Sequence, residues 1–275
     1  MGVTLECEVE VSMRQLRAAL SSVVPHSEPT KTGDEVSPLA RVRLVLGRDE
    51  LQVIASCAAT SALAAVDIEM DSRAERFAPD DGEFALDLSP DIVRKMLQQF
   101  KVSRPGADAE DPLAAVIVSN SGYVELEDRD GLIPGMRSRY PHLALSDSFP
   151  DVAAALKRAA GGAMSEVGAR ALIVDPKVMR LFAHAGVAYG RPVRHEPIGT
   201  AGTRGWWVWC GPRFTGLLSS DDPGSNSLAR AEAERRIHLE RLGLAAPRVV
   251  DLDEWVQGDD EDEDAEDLEP QLAGV

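Results

Sequence analysis

Alternating polar and apolar residues mark seven short strands in the first half of the chain. "TLECEVEV" at 4–11 alternates as a strand with one buried face does. The strands are predicted at 4–11, 40–46, 50–56, 62–70, 83–89, 113–119 and 123–128. The turn sequences "GRD" and "NSG" each separate two of these strands, so each of the two pairs is predicted to form a β-hairpin.

Helical spacing replaces the alternation after two of these strands. In 12–24, Met13, Leu16 and Leu20 fall on one stripe, and Ser12 stands where a helix N-cap is expected. A second helix begins at "SPDIVRKM", where a capping serine is followed by the proline that favours a first helical turn.

The start of this second helix is repeated later in the chain. "DLSPDIVRKMLQQFK" at 87–101 and "IVDPKVMRLFAHAG" at 173–186 share the order of a strand end, a cap, a proline and a helix. The matched pairs are Ser89 with Asp175, Pro90 with Pro176, Ile92 with Val178, Val93 with Met179, and Arg94 with Arg180. The repeat predicts a strand at 169–175 that enters a helix at 176–189.

These elements predict an α+β fold in which one unit is written twice. The first unit consists of a strand, a helix and three strands, and the second consists of a strand, a helix and at least two strands. This order favours an antiparallel sheet with both helices on one face. The predicted divisions are a first domain at 1–130, a connector at 131–150, a shortened second domain at 151–220, a helical extension at 221–250 and a tail at 251–275.

The formal net charge of −17 is concentrated at the C-terminus. Residues 251–275 hold twelve acids and no Lys or Arg, which leaves 34 of the chain's 46 acids against all 29 bases in the first 250 residues. Such a run of like charges predicts a disordered, solvated tail. Three widely spaced cysteines, no signal-peptide pattern and no membrane-length apolar run predict a cytoplasmic protein without a membrane partner.

Recognisable catalytic and metal-binding patterns are missing from the sequence. It contains no Gly-rich phosphate loop and no G-x-S-x-G elbow. The five histidines show no paired-ligand spacing. We therefore expect a protein that is not an enzyme, with no metal and no cofactor.

Positive charge recurs on four predicted helices of this acidic chain: the three described above and a fourth at 149–160, "FPDVAAALKRAA". The candidate DNA contacts are Arg14, Arg17, Arg94, Lys95, Lys101, Lys157, Arg158, Lys177 and Arg180. If the fold gathers these helices on one surface, their side chains would bind a phosphate backbone without reading base sequence. The alternative is that ordinary solvated helix faces carry these bases.

The stretch "WWVWC" at 206–210 predicts a strand with both faces covered, because Trp206 and Val208 alternate with Trp207 and Trp209. A core or subunit interface would explain this aromatic strand. A hot spot for protein binding is the alternative.

The chain resembles the bacterial replicative sliding clamp, the β subunit of DNA polymerase III, in five stretches. They are "MRQLRAALSSVVP", "VRLVLGRDELQVIASCAATSALAAVDI", "FALDLSPDIVRKMLQQF", "SDSFPDVAAAL" and "RFTGLLSS", and they cover roughly residues 4–220. The resemblance implies the DNA-clamp fold: a ring-shaped homo-oligomer with cationic helices inside, around double-stranded DNA, and sheets outside.

The resemblance also implies a tethering function and its partners. A clamp would hold a DNA polymerase and repair proteins at the template, raising their effective concentration, and would be placed there by a clamp loader. The candidate partner-binding residues, on and beside the stretch that is similar to the closing strand of a clamp, are Trp207, Trp209, Leu217 and Leu218.

The chain departs from the family in its length. Bacterial clamp chains have three domains, whereas this length fits two, and clamps with two domains per chain close as trimers. The segment between the helix at 149–160 and the strand at 169–175 is also shorter than a full domain requires. Two hypotheses follow: a DNA-encircling processivity factor, or a clamp-derived module that does not encircle DNA and acts on clamp partners or through its acidic tail.

Overall fold

A computed structural model describes most of the first 219 residues. The described residues are 5–30, 36–47, 49–69, 84–101, 112–119, 122–129, 135–161, 176–200, 203–219 and 237. Residues 1–223 form one compact unit and residues 224–275 form a second. The strand predicted at 169–175, the acidic tail and nearly all of the predicted C-terminal helix lie outside the described residues.

The described residues form eleven strands and four α-helices. The strands are β1 Leu5–Ser12, β2 Val42–Leu46, β3 Glu50–Ser56, β4 Thr60–Glu69, β5 Phe84–Leu88, β6 Leu113–Ser119, β7 Tyr123–Asp128, β8 Arg137–Pro141, β9 Arg194–Thr200, β10 Thr203–Cys210 and β11 Phe214–Ser219. The helices are α1 Met13–Val23, α2 Pro90–Gln99, α3 Val152–Gly161 and α4 Pro176–Tyr189.

The order of these elements confirms the predicted repeat. The first unit, β1–α1–β2–β3–β4, is followed by a second unit with the same order, β5–α2–β6–β7–β8. Every strand pair is antiparallel, so the predicted α+β fold with an antiparallel sheet is confirmed.

The helix starts follow from the capping residues that the sequence predicts. Oγ of Ser12 accepts a hydrogen bond from the Gln15 N–H at 3.1 Å, and Oγ of Ser89 accepts one from the Ile92 N–H at 3.3 Å. Each bond satisfies one of the backbone donors that the first turn of a helix leaves without a partner. Ser12 is therefore the N-cap of α1, as predicted.

The strands form one branched sheet. Its main path runs β5–β2–β3–β4–β1–β6–β7–β8. β4 is the branch point, because one of its edges pairs with β3 while the other pairs with β1 through residues 68–69 and with β11 through residues 60–64. From β11 the sheet continues into β10 and β9.

Side chains of the sheet alternate between two apolar layers. On β2 and β3, Leu44 and Val53 belong to the main core, together with buried residues of α1, α2 and α4. Their neighbours Val45 and Ile54 belong to a smaller cluster that includes Leu156 of α3. Because successive strand residues point to opposite faces, α3 lies on the opposite face of the sheet from the other three helices.

A further copy of the helix-and-strands pattern docks onto the first unit along β4. It consists of α4, β9, β10 and β11, and β11 pairs with β4 along what we call the seam. The buried rings of His26, Phe182 and Phe214 pack at the seam, with centroids 4.6 Å apart for His26 and Phe182 and 6.4 Å apart for Phe182 and Phe214. The seam is therefore part of the main core.

Gly216 of β11 permits this close approach. A Cβ at this position would lie 2.7 Å from Cε1 of Phe182 and 2.8 Å from the carbonyl oxygen of Ser61 on β4. Both distances are shorter than ordinary van der Waals contact, so α4, β4 and β11 meet here because the residue has no side chain.

Two strands lie in segments where the sequence predicts none. β8 falls inside 131–150, the segment expected to be a connector. Within β8 the buried Tyr140 follows the exposed Arg139, as expected for a strand. The surrounding Gly and Pro residues are typical of loops, so the sequence pattern predicts a connector here instead. β9 contains Pro197 near its centre, and proline inside a run argues against a strand unless the strand lies at a sheet edge.

Candidate nucleic-acid interface

Three helices pack together on one face of the sheet. α1 packs against both α2 and α4. The buried residues of all three helices join the main core, which leaves their other sides toward solvent. We call this solvent side of α1, α2 and α4 the helical face.

All of the predicted DNA contacts on α2 and α4 are exposed on the helical face: Arg94, Lys95, Lys177 and Arg180. Lys101, two residues after the end of α2, is exposed as well. Arg94 pairs with Asp91 one turn away at 2.7 Å, yet 49% of its side chain remains exposed. A surface ion pair of this kind is weak, so the guanidinium stays accessible to another anion.

Acidic residues are nearly excluded from these three helices. α1, α2 and α4 contain six Lys or Arg residues and a single acid, Asp91, in a chain with 46 acids and 29 bases. The positive potential of the helical face thus comes from the exclusion of acids as much as from the presence of bases.

Arg17 has a structural task that the sequence does not reveal. Its guanidinium donates to the carbonyl oxygen of Leu97 at 2.7 Å and to that of Phe100. These carbonyls lie at the C-terminal end of α2, where backbone acceptors lack helical partners. Burial lowers the pKa of Arg17. Arg14, also on α1, is half-buried.

Lys157 and Arg158 are exposed, but they belong to α3. Because α3 lies on the opposite face of the sheet, these two bases cannot join the helical face. The expected lining of four helices therefore comprises three. Between β8 and α3 the chain passes to the opposite face of the sheet. Sequence patterns over a few residues do not reveal which face a helix packs against.

The opposite face of the sheet carries paired charges instead. Arg129 forms ion pairs with Glu8 and Glu10 of β1, and Arg137 and Arg139 of β8 both pair with the Glu125 side chain on β7. Burial raises the pKa of Glu125, but hydrogen bonds from Arg139 and Arg137 outweigh this effect and lower it. These neighbouring charges largely neutralise one another, so this part of the sheet offers little net attraction for a polyanion.

The four predicted partner-binding residues divide between the two faces. Leu218 is buried in the main core. Leu217 and Trp207 pack into the smaller cluster beneath α3, and the ring of Trp209 lies 4.8 Å from that of Trp207. The predicted alternation along β10, with Trp206 and Val208 on one side and Trp207 and Trp209 on the other, is confirmed.

A buried carboxylate on β5 positions the connector and α3. Asp87 on β5 is fully buried and pairs with Arg43 at 2.8 Å and with Arg41 at 3.3 Å. Its Oδ2 also accepts a hydrogen bond from the Ser146 N–H at 3.0 Å. An Asp at an alternating strand position looks solvent-facing in sequence, and only the long-range contacts disclose its role.

The part of the chain that the structure describes contains neither a metal-ligand cluster nor a membrane-spanning helix. Among the described residues, no group of His, Cys, Asp and Glu side chains could hold a metal ion. None of the helices described is long and apolar enough to cross a membrane.

Comparison with known proteins identifies the fold. No protein-family model matches the chain, and no curated protein matches its sequence. The DNA polymerase III β subunit of Thermotoga maritima matches with a TM-score of 0.50 and 11% identity, over 78% of this chain and 64% of its own length. The β subunit of Pseudomonas aeruginosa matches with the same score and identity, over 85% of this chain and 73% of its own.

The present chain thus spans less than two thirds of the Thermotoga maritima protein. At 11% identity the likeness concerns the fold. The predicted resemblance to a shortened sliding clamp is confirmed at that level: the chain has the DNA-clamp fold of bacterial DNA polymerase III β subunits.

Proposed function

We propose that this protein is a non-enzymatic sliding clamp that holds duplex DNA against its helical face and tethers replication or repair proteins there. The observation that carries the proposal is the helical face itself, where α2 and α4 of three packed helices expose bases and the three helices together contain a single acid. Contacts of this type bind phosphates and release counterions, so the binding is salt-sensitive and indifferent to sequence.

Sliding requires that DNA not adhere to the rest of the molecule. Residues 1–250 hold 34 acids and 29 bases, and α1, α2 and α4 take six of these bases but only one of these acids. The remainder of residues 1–250 is therefore acidic and would repel DNA. A tethered polymerase would gain effective concentration at the template without any new contact to it.

Ring closure would use the open edges of the sheet. Among the described strands, β5, β8 and β9 each lack a partner strand on the outer edge, whereas β4 is paired on both edges. Part of the β5 edge is covered by a bridge between Asp87 and Leu143, which leaves β8 and β9 as the more open edges. Joining β8 of one copy to β9 of the next would be a head-to-tail contact between different edges, and such contacts generate closed rings when the rotation per copy allows. We expect a homo-oligomer, with a trimer as the first candidate.

A second candidate function is favoured by the use of β4 within the chain. In the repeat β11 is the counterpart of β8, because each is the last strand after a helix. The partner of β11 is β4, and β11 already occupies that edge. If β8 of one chain were to pair with β4 of another as β11 does, it would find that edge of β4 already occupied. This blocked pairing supports a clamp-derived module that does not encircle DNA and acts on clamp partners.

Retention on circular DNA separates the two candidates. Native mass spectrometry first gives the number of chains in the assembly. The protein is then loaded, with the host's clamp loader if needed, onto a nicked circle and onto the same DNA made linear. A ring stays on the circle after a high-salt wash and slides off the linear molecule. Equal loss from both DNAs, with a monomeric mass, would favour the non-encircling module.

A further inference from the structure

A single acid lies among the exposed bases of the helical face. Asp91 is the only Asp or Glu in α1, α2 and α4, and 60% of its side chain is exposed. It precedes Arg94 and Lys95 by three and four residues, and residues at these spacings are neighbours on a helix surface. Both bases are exposed as well. The negative charge therefore lies inside the cationic surface of α2 rather than beside it.

The N-cap of α2 does not use this carboxylate. Oγ of Ser89 accepts the hydrogen bond from the Ile92 N–H at 3.3 Å, and Pro90 occupies the first helical position. Oδ1 of Asp91 instead accepts a hydrogen bond from the Arg94 guanidinium at 2.7 Å. Replacing the charge of Asp91 thus leaves the cap of the helix in place.

The other two helices carry a base at the matching position. The second helical residue is Arg14 in α1 and Lys177 in α4, whereas it is Asp91 in α2. The helix dipole favours an acid and disfavours a base in the first turn. Because α1 and α4 form with a base there, an acid in the first turn is not a requirement of this fold. The dipole alone does not account for Asp91.

Asp91 reduces the attraction of the helical face for phosphate. The bases that α2 and α4 expose are Arg94, Lys95, Lys177 and Arg180, and Asp91 cancels one of these four charges. Its exposed pair with Arg94 is weak, so a phosphate can recruit the guanidinium. The carboxylate is then left close to that phosphate, and like charges at such a distance repel each other. The helical face therefore binds DNA less tightly than its bases alone would allow.

We infer that Asp91 limits the affinity of the helical face for duplex DNA and so keeps the bound protein mobile along it. A protein held by phosphate contacts moves along DNA by exchanging one set of phosphates for the next. Each further contact slows this exchange, and Asp91 offsets one contact. This inference rests on the proposed DNA-binding function and names the residue that sets the strength of that binding.

The test measures the affinity of Asp91→Asn for a duplex by fluorescence anisotropy over a range of salt concentrations. The variant should bind roughly threefold more tightly than the wild type at low salt, with a slope of log affinity against log salt steeper by up to about 1, because Arg94 then neutralises a phosphate. Adding Arg94→Gln removes both charges of the pair and should return the affinity to near the wild-type value. Single-molecule tracking should show Asp91→Asn diffusing more slowly along the duplex.

A matched control lies on the opposite face of the sheet. Asp67 of β4 is 58% exposed and forms an ion pair with Arg213. It follows Leu63 by four residues on the same strand, and Leu63 packs into the smaller cluster beneath α3, so both side chains point to the opposite face. Asp67→Asn makes the same change in charge and also releases an arginine. It should leave the DNA affinity and the salt slope at their wild-type values.

Two results would overturn the inference. One is a folded Asp91→Asn variant that binds DNA no more tightly than the wild type, as expected if the carboxylate served only the stability of α2. The other is an equal gain in Asp67→Asn, which would show that total charge sets the affinity. Absence of salt-sensitive DNA binding in the wild type and in every variant would instead contradict the proposed function itself. Thermal unfolding of each variant verifies that it is folded.

Discussion

At the scale of single residues, bases that look alike in sequence divide into structural and surface groups. Arg17 donates to the last carbonyls of α2, whereas Lys95 extends from the same helix into solvent. The first interaction stabilises the fold, and the second is available to a phosphate. Matched substitutions can separate these two tasks.

Arg17→Gln is expected to lower the free energy of unfolding by about 1.5 kcal/mol, because charged hydrogen bonds to two carbonyls are lost. Its DNA affinity should stay near that of the wild type. Lys95→Gln should do the reverse, weakening DNA binding roughly threefold at low salt with unchanged stability. Urea unfolding and fluorescence anisotropy measure the two effects, and a stronger DNA defect in Arg17→Gln would reverse our assignment.

His26 makes the seam sensitive to acid. Burial, assisted by the neighbouring His184, lowers the pKa of His26 to about 3. Its Nδ1 lies 2.9 Å from Oγ1 of Thr60, and its Nε2 has no hydrogen-bond partner within the described part of the chain. Protonation would therefore place an unpaired charge between two phenylalanine rings.

The sign of the pH effect follows from the unfolded chain, in which the histidine pKa is about 6.5. Below that value the unfolded chain takes up a proton that the folded protein excludes. The free energy of unfolding thus falls by as much as about 1.4 kcal/mol per pH unit from pH 6.5 downward. His26→Gln should flatten this dependence between pH 6.5 and 5 in urea unfolding. Parallel slopes for the two proteins would contradict the buried, neutral histidine.

At the scale of elements, the seam between β4 and β11 decides whether the copy formed by α4, β9, β10 and β11 stays attached to the first unit. Gly216→Val would push against Phe182 and Ser61, and overpacking of this kind costs about 3 kcal/mol. The exposed β11 residue Ser219 offers a control, because Ser219→Val leaves the seam untouched. Three of the four tryptophans lie on β10.

Tryptophan fluorescence therefore reports separation of the seam directly. Gly216→Val should shift the emission to longer wavelength at a lower urea concentration than the wild type requires, while Ser219→Val follows the wild type. If the Gly216→Val protein were as stable as the wild type, β11 would not approach Phe182 and β4 as closely as described.

Local elements could be predicted from sequence, whereas their arrangement could not. The caps at Ser12 and Ser89 and the alternation of the first seven strands depend on neighbours within a few residues, and the sequence carries them. The position of α3 depends on Asp87, which holds the connector against the opposite face from 59 residues away. Similarly, Pro197 argues against a strand when only the sequence is considered. β9 tolerates this proline because the strand lies at an edge of the sheet, and the edge position depends on long-range pairing.

At the scale of the whole molecule, we expect the two faces of the sheet to bind different partners. The helical face exposes bases and one acid for DNA. The opposite face is largely charge-neutral where its ion pairs lie and apolar where α3 sits. DNA and protein partners would then bind at the same time on opposite sides of the sheet.

The chain contains its own control for this division, because it places two pairs of exposed bases on different faces. Lys95 and Arg180 belong to the helical face, and Lys157 and Arg158 belong to α3 on the opposite face. Reversing either pair changes the net charge by the same amount. A difference between the two variants therefore reflects location rather than total charge.

The salt dependence of duplex DNA affinity, measured for these two variants beside the wild type, shows which face of the sheet binds DNA. We predict that Lys95→Glu with Arg180→Glu weakens binding roughly tenfold or more at low salt and reduces the slope of log affinity against log salt by about 2. We predict that Lys157→Glu with Arg158→Glu leaves the slope unchanged. Equal losses in both variants, or a larger loss for the α3 pair, would contradict the helical face as the DNA-binding surface.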